Sequence, residues 1–153
     1  MERWKTMDPA LNFAIAREVE SHDFYMSLAS RMENKAMAEV FRGFAAEEEG
    51  HRRKLEKVKR GDFQGAPGGE GEVPDLKIAD YVVDVKPSPE MDYGDALVLA
   101  MKKEKAAFRL YTDLASNVCT QSLKELFGML AQEEAKHKLR FELEYDNSVL
   151  TEN

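Results

Sequence analysis

The chain has 153 residues, 43% of them hydrophobic and 33% charged, with a formal net charge of −7. That length suits one domain over residues 1–153, large enough to bury roughly two-thirds of its unfolded surface. The acidic balance disfavours nucleic acid, no apolar run approaches the ~18 residues that span a bilayer, and the single cysteine, Cys119, excludes an internal disulfide framework or a four-cysteine iron site.

The N-terminal residues Met1 to Lys5 are polar and carry no apolar leader core, so a cytoplasmic, reducing location is expected. Asp8-Pro9 then reads as a cap and a first-turn proline, opening a helix over 8–32. A short connection near Asn34 leads to a second helix over 35–60, which Gly61 stops. The inward stripe of that helix is Met37, Phe41, Phe44, Glu48, His51, Leu55 and Val58, in steps of four and three. Residues 61–91 form a linker. Its first part, with Gly65, Pro67, Gly68, Gly69, Gly71 and Pro74, forbids helix. Residues 76–85 are apolar and β-branched and are expected to lie against the rest of the chain as an extended or short helical strap. Helices over 92–117 and 120–146 follow, with stripes Leu97, Ala100, Glu104, Tyr111, Val118 and Leu123, Phe127, Leu130, Glu134, His137, Phe141.

The two halves repeat. Aligned at an offset of 86 without gaps, residues 10–58 and 96–144 are identical at 15 of 49 positions. Glu18, Glu48 and His51 recur as Glu104, Glu134 and His137, and Tyr25 recurs as Tyr111. The sequence therefore predicts an all-α four-helix bundle made of two duplicated helical hairpins. If the hairpins pair about a two-fold axis, the linker must run the length of a helix, about 40 Å, which its 31 residues can span.

The charged residues interrupt the apolar stripes at their centres. A glutamate and a histidine three apart share one helix face, so each Glu-x-x-His pair points inward, and Glu18 and Glu104 hold the core phase of their own helices. Four buried carboxylates cannot all stay ionised uncompensated. Two metal ions would compensate them, and four carboxylates with two imidazoles suit iron or manganese and can hold zinc. Glu47, Glu49 and Glu133 step off the stripe and are expected at the surface, as is Glu20. Tyr25 and Tyr111 are either core aromatics or donors that orient a ligand carboxylate. His22, whose place in the second half Phe108 holds, is expected to be a partly buried histidine without a role at the metals. Cys119, in the turn between the last two helices, is not expected to be catalytic.

The segments Ala14-x3-Glu18-x5-Phe24-Tyr25-x2-Leu28-Ala29 with Glu48-x-x-His51, and Ala100-x3-Glu104-x6-Tyr111-x2-Leu114-Ala115 with Glu134-x-x-His137, resemble the ferritin-like di-iron carboxylate superfamily, rubrerythrin-like branch, over about residues 8–147. The resemblance implies a ferritin-like bundle with two Fe ions, or Mn or Zn in their place. Glu48 and Glu134 would bridge them, Glu18 and Glu104 would be terminal ligands, and His51 and His137 would each cap one metal; the resemblance also favours the orienting role for Tyr25 and Tyr111. It implies a peroxidase or ferroxidase that reduces hydrogen peroxide or O2 with electrons from an external donor protein such as a rubredoxin, in a homodimer. Two departures stand out. Ala107 occupies the position of a further carboxylate usual in that branch, and the chain has no paired Cys-x-x-Cys motifs of a rubredoxin-like domain. Alternative functions are iron sequestration without turnover, or a structural bundle holding zinc. A storage cage is disfavoured, because only a few residues follow the fourth helix and the chain supplies all six ligands itself.

Overall fold

A computed structural model describes residues 3–4, 7–61, 73–74, 81–83, 85–88 and 90–150. It is an all-α bundle of two hairpins, with α1 at Asp8–Arg31, α2 at Lys35–Arg60, α3 at Tyr93–Asn117 and α4 at Gln121–Tyr145. α1 packs along α2 and α3 along α4. None of the helices among the described residues is long and apolar enough to cross a membrane.

Local chemistry accounts for the helix ends. Asn34 caps α2 by accepting a hydrogen bond from the Met37 amide, and Asp92 caps α3 through the Gly94 amide. Asp92 and Thr120 are caps, so α3 and α4 begin one residue after the expected starts. Met7, not Asp8, is the cap residue of α1, and Asp8 sits in the first turn, where a carboxylate complements the positive end of the helix dipole. Gly61 ends α2 at φ 78°, a left-handed conformation in which a Cβ is strained. Beyond α4, Asp146–Leu150 continue as a π-helical turn.

The core divides in two. Near one end, Leu11, Ala14, Leu55, Leu110, Leu114, Leu123 and Phe127 pack together. Near the other, Phe24, Leu28, Met37, Phe41, Leu97 and Phe141 do so. Along every helix the charged residues of the stripe fall between these clusters. Aromatic contacts join the hairpins: Phe41 of α2 stacks on Phe141 of α4 at 6.0 Å between ring centres and meets Tyr93 of α3 edge-on at 6.5 Å.

Val73–Pro74 of the linker pairs antiparallel with Arg3–Trp4 near the N-terminus, a two-residue contact with no signal in the local pattern. Residues 76–80 and 84 of the expected strap lie outside the described residues. Of the rest, Tyr81 is buried in the first cluster, donates its hydroxyl to Asp113 at 2.5 Å and carries the Arg109 guanidinium over its ring, while Val83 packs on the second cluster.

Phe41 is fully buried and touches aromatic rings of two other helices, α3 and α4. Replacing it with alanine removes a ring that no neighbour can replace, so Phe41→Ala should lower unfolding free energy by about 3–5 kcal/mol in urea titration. A loss below about 1 kcal/mol would mean the site collapses freely.

Candidate metal centre

Glu18, Glu48, His51, Glu104, Glu134 and His137 converge in the middle of the bundle, none more than 2% exposed. Each arrives from a helix whose apolar residues on either side are locked into the two clusters, so packing fixes their height. His51 Nδ1 lies 3.5 Å from Glu18, 3.2 Å from Glu48 and 3.3 Å from Glu134. His137 Nδ1 lies 3.6 Å from Glu48, 3.7 Å from Glu104 and 3.8 Å from Glu134.

These atoms face one another without pairing. Among the described residues, nine buried side-chain polar atoms make no hydrogen bond, and seven belong to these six residues: Glu18 Oε2, both oxygens of Glu48, Glu104 Oε2, Glu134 Oε1 and Nδ1 of both histidines. Buried polar atoms are nearly always satisfied, so a cluster of acceptors around a common centre fits cations as the missing partners. The donors fall into two groups with ligand atoms mutually within 4.8 Å: Glu18, Glu48, His51 and Glu134, and Glu48, Glu104, Glu134 and His137. Glu48 and Glu134 belong to both.

Outside this cluster the two hairpins hold each other's ligands. The Tyr25 hydroxyl donates to Glu104, and the Tyr111 hydroxyl donates to Glu18 at 2.5 Å. Both tyrosines thus contact the carboxylate of the opposite hairpin, a pairing that spacing along one helix does not reveal. Burial first, and then the surrounding glutamates, raise both phenols well above their ordinary value, which keeps them protonated and able to donate.

Glu47 and Glu133 lie at the surface as expected, Glu47 exposed and Glu133 partly so, but each also reaches an imidazole: His137 Nε2 donates to Glu47 at 2.5 Å and His51 Nε2 donates to Glu133. A carboxylate on one ring nitrogen fixes the ring and leaves the other nitrogen for a metal. The available signal is that the pair 47 and 133 is identical across the halves whereas 49 and 135 differ. Glu49 is a helix-surface partner of Arg52 and Arg53. Phe44 stacks on the His137 ring at 4.1 Å, and no ring does so at the equivalent Leu130. His22 is half-buried and lies 2.9 Å from Asp23, away from the cluster. Glu20 lies 2.7 Å from Arg17 at the surface, Cys119 is exposed, and Ala107 packs on the first apolar cluster.

A four-helix bundle with inward carboxylates and imidazoles in two overlapping groups defines a metal-binding class of protein. Residues 10–145 match the family model for Rubrerythrin, and the chain belongs to the rubrerythrin family. No curated protein and no solved structure matches it.

Without metal, the cluster must hold protons. Burial and then the neighbouring glutamates raise Glu48 and Glu134 well above the ordinary carboxylate value. Burial pulls His51 down, but Glu134 and Glu18 outweigh it and push it up to about 11, and His137 is raised in the same way by Glu104 and Glu47. A proton held more tightly in the folded chain stabilises the fold at low pH, and that contribution is lost as pH rises. For the glutamates the loss begins above 4.5, and for His51 it begins above 6.5 and is complete beyond about 11. The metal-free protein should therefore lose thermal stability between about pH 7 and about pH 10. Saturating divalent metal should remove most of that slope, because the ion replaces the protons. A midpoint that rises with pH in the metal-free protein would contradict the buried charge arrangement.

Glu47→Gln and Glu133→Gln should each weaken metal binding about 10–100-fold by calorimetric titration. Glu49→Gln, which alters only a surface pair, serves as the control and should change nothing. Unchanged affinity in the first two would make those contacts incidental.

Proposed function

We propose that the cluster holds two iron ions and that the protein is an oxidoreductase that reduces hydrogen peroxide, with O2 as the alternative oxidant. Electrons would come from an external donor such as a rubredoxin. The observation that carries this reading is that Glu48 and Glu134 belong to both ligand groups. Two shared carboxylates bring two cations close together, and the mixed oxygen and nitrogen set suits iron. When bound and reduced, the pair would supply two electrons to one O–O bond. Reduction of one hydrogen peroxide to two waters takes those two electrons and two protons.

The chain's own residues contribute position and exclusion. Glu18 with His51, and Glu104 with His137, would complete the two ends, with Tyr111 and Tyr25 holding the terminal carboxylates and Glu133 and Glu47 holding the imidazoles. A cavity of about 20 Å³ abuts Glu18, Glu134 and Tyr111 and is bounded by Tyr81 and Val83 from the linker. One water needs roughly 10–15 Å³ on this measure. The space thus suits water, peroxide or dioxygen and is too small for an organic substrate unless the linker moves. This favours a diatomic-sized oxidant over hydroxylation of a larger molecule.

Anaerobic loading with Fe(II), followed by rapid mixing with hydrogen peroxide or with O2, tests the reading through the ferric absorbance. Oxidation of two irons per chain, faster with peroxide than with O2, is the expected result. A reversed preference would make the protein a ferroxidase. Two irons bound but oxidised no faster than free Fe(II) would indicate sequestration, and preferential retention of zinc would indicate a structural bundle.

A further inference from the structure

α1 packs along α2 and α3 along α4, so α1 and α3 meet little and leave a furrow between them. The linker crosses that furrow held at two points. Tyr81 is fixed to α3 through Asp113, and the Arg31 side chain of α1 donates to the Met91 carbonyl. Between these points the linker stands off α1 and encloses a trough of about 590 Å³. Small-molecule sites span roughly 300–1,000 Å³. None of the six candidate metal ligands lines the trough.

Its walls have two characters. Phe24 and Leu28 of α1 form an apolar floor, and Val82 and Val85 of the linker, 44% and 48% exposed, form the wall above. Large apolar side chains left exposed beside an apolar floor mark a binding surface. The charged residues of the lining are Arg17, Arg31, Lys86 and Lys103 with Glu20 and Asp23. Four cations against two acids leave two positive charges in surplus, in a chain whose net charge is −7. Such a local field draws anions.

One end of the trough is prepared for a headgroup. Arg17 and Lys103 hold matching positions, 86 apart, and converge there from α1 and α3. They share Glu20, at 2.7 Å from Arg17 and 3.8 Å from Lys103. One acid between two cations leaves one charge uncompensated. The Lys103 side chain is only 11% exposed, and Arg17 Nε is buried without a hydrogen-bond partner. Buried donors are seldom left unsatisfied, and a carboxylate can accept from a guanidinium and an ammonium together. We infer that the trough binds a medium-chain carboxylate, its headgroup between Arg17 and Lys103 and its apolar body over Phe24 and Leu28, beneath Val82 and Val85. Arg17, Val83 and Lys103 also line the small cavity beside Glu18 and Glu134. The headgroup therefore stands at the boundary between trough and cavity, and the ligand is held beside the candidate metal centre rather than within it.

Calorimetric titration of the metal-free full chain with decanoate tests the inference. One saturable site per chain is expected. Acetate, which lacks the apolar body, and decyltrimethylammonium, which reverses the charge, should bind at least about tenfold more weakly. Lys103→Gln and Arg17→Gln should each weaken decanoate binding at least about tenfold. Val85→Asp should do the same, because it sets an acid on the exposed linker wall, outside both apolar clusters. Lys102→Gln makes the same charge change at the exposed neighbour of Lys103 and should leave the affinity unchanged. Helical circular dichroism checks that each variant is folded. Absence of saturable decanoate binding would overturn the inference. So would equal affinity for decyltrimethylammonium, binding untouched by Val85→Asp, or a loss with Lys102→Gln as large as that with Lys103→Gln. Without metal the carboxylate has no ion to coordinate, and no readout depends on the oxidant, so this site and the proposed chemistry stand or fall separately.

Discussion

The constraint on which the structure depends is the burial of four carboxylates and two imidazoles at the centre of a helical bundle. An isolated buried charge costs several kcal/mol or more, so a chain that places six titratable groups there must supply their partners. It does so in two layers. Facing inward, seven oxygen and nitrogen atoms are left unpaired and gathered around a common centre. Facing outward, each imidazole and the carboxylates of Glu18 and Glu104 are hydrogen-bonded to a residue of the other hairpin. The inner layer provides for cations and the outer layer fixes the orientation in which they are met.

That outer layer also explains how two hairpins become one domain. The helices of each hairpin run against each other along their length, while the hairpins meet chiefly through side chains. Four of those meetings form two reciprocal sets, Tyr25 with Glu104 and Tyr111 with Glu18, then His51 with Glu133 and His137 with Glu47. The apolar clusters above and below fix the height of the polar layer on every helix. A shift of one helix by a turn would carry a glutamate into Leu, Phe and Ala neighbours and leave it unpaired. Packing and electrostatics therefore select the same register, and the geometry of the candidate metal centre is a consequence of that agreement.

Tyr81 joins the linker to this arrangement. Its ring is buried in the first apolar cluster and its hydroxyl donates to Asp113 of α3. With Val83 it bounds the small cavity beside Glu18 and Glu134. The linker is thus more than a connection between hairpins: where it is described, it limits what can approach the centre.

Much of this was legible in the sequence. The apolar stripes and the interruption of each by an acid and a histidine follow from a helical period of 3.6, and the matched positions 86 apart make six such residues a set rather than a coincidence. Those features determine the helix faces, the class of bundle and the candidate ligands. What the tertiary structure decided is every relation across the hairpins: that Tyr25 serves the glutamate of the other half, that Glu47 and Glu133 hold histidines although they lie off the inward stripe, and that Nδ1 rather than Nε2 of each imidazole faces the centre. It also decided that Arg3–Trp4 meets Val73–Pro74. Periodicity is a property of one helix and reports which residues share its face. Which side chain of a second helix arrives opposite depends on crossing angle and axial height, and these are set only when the separate stripes pack together.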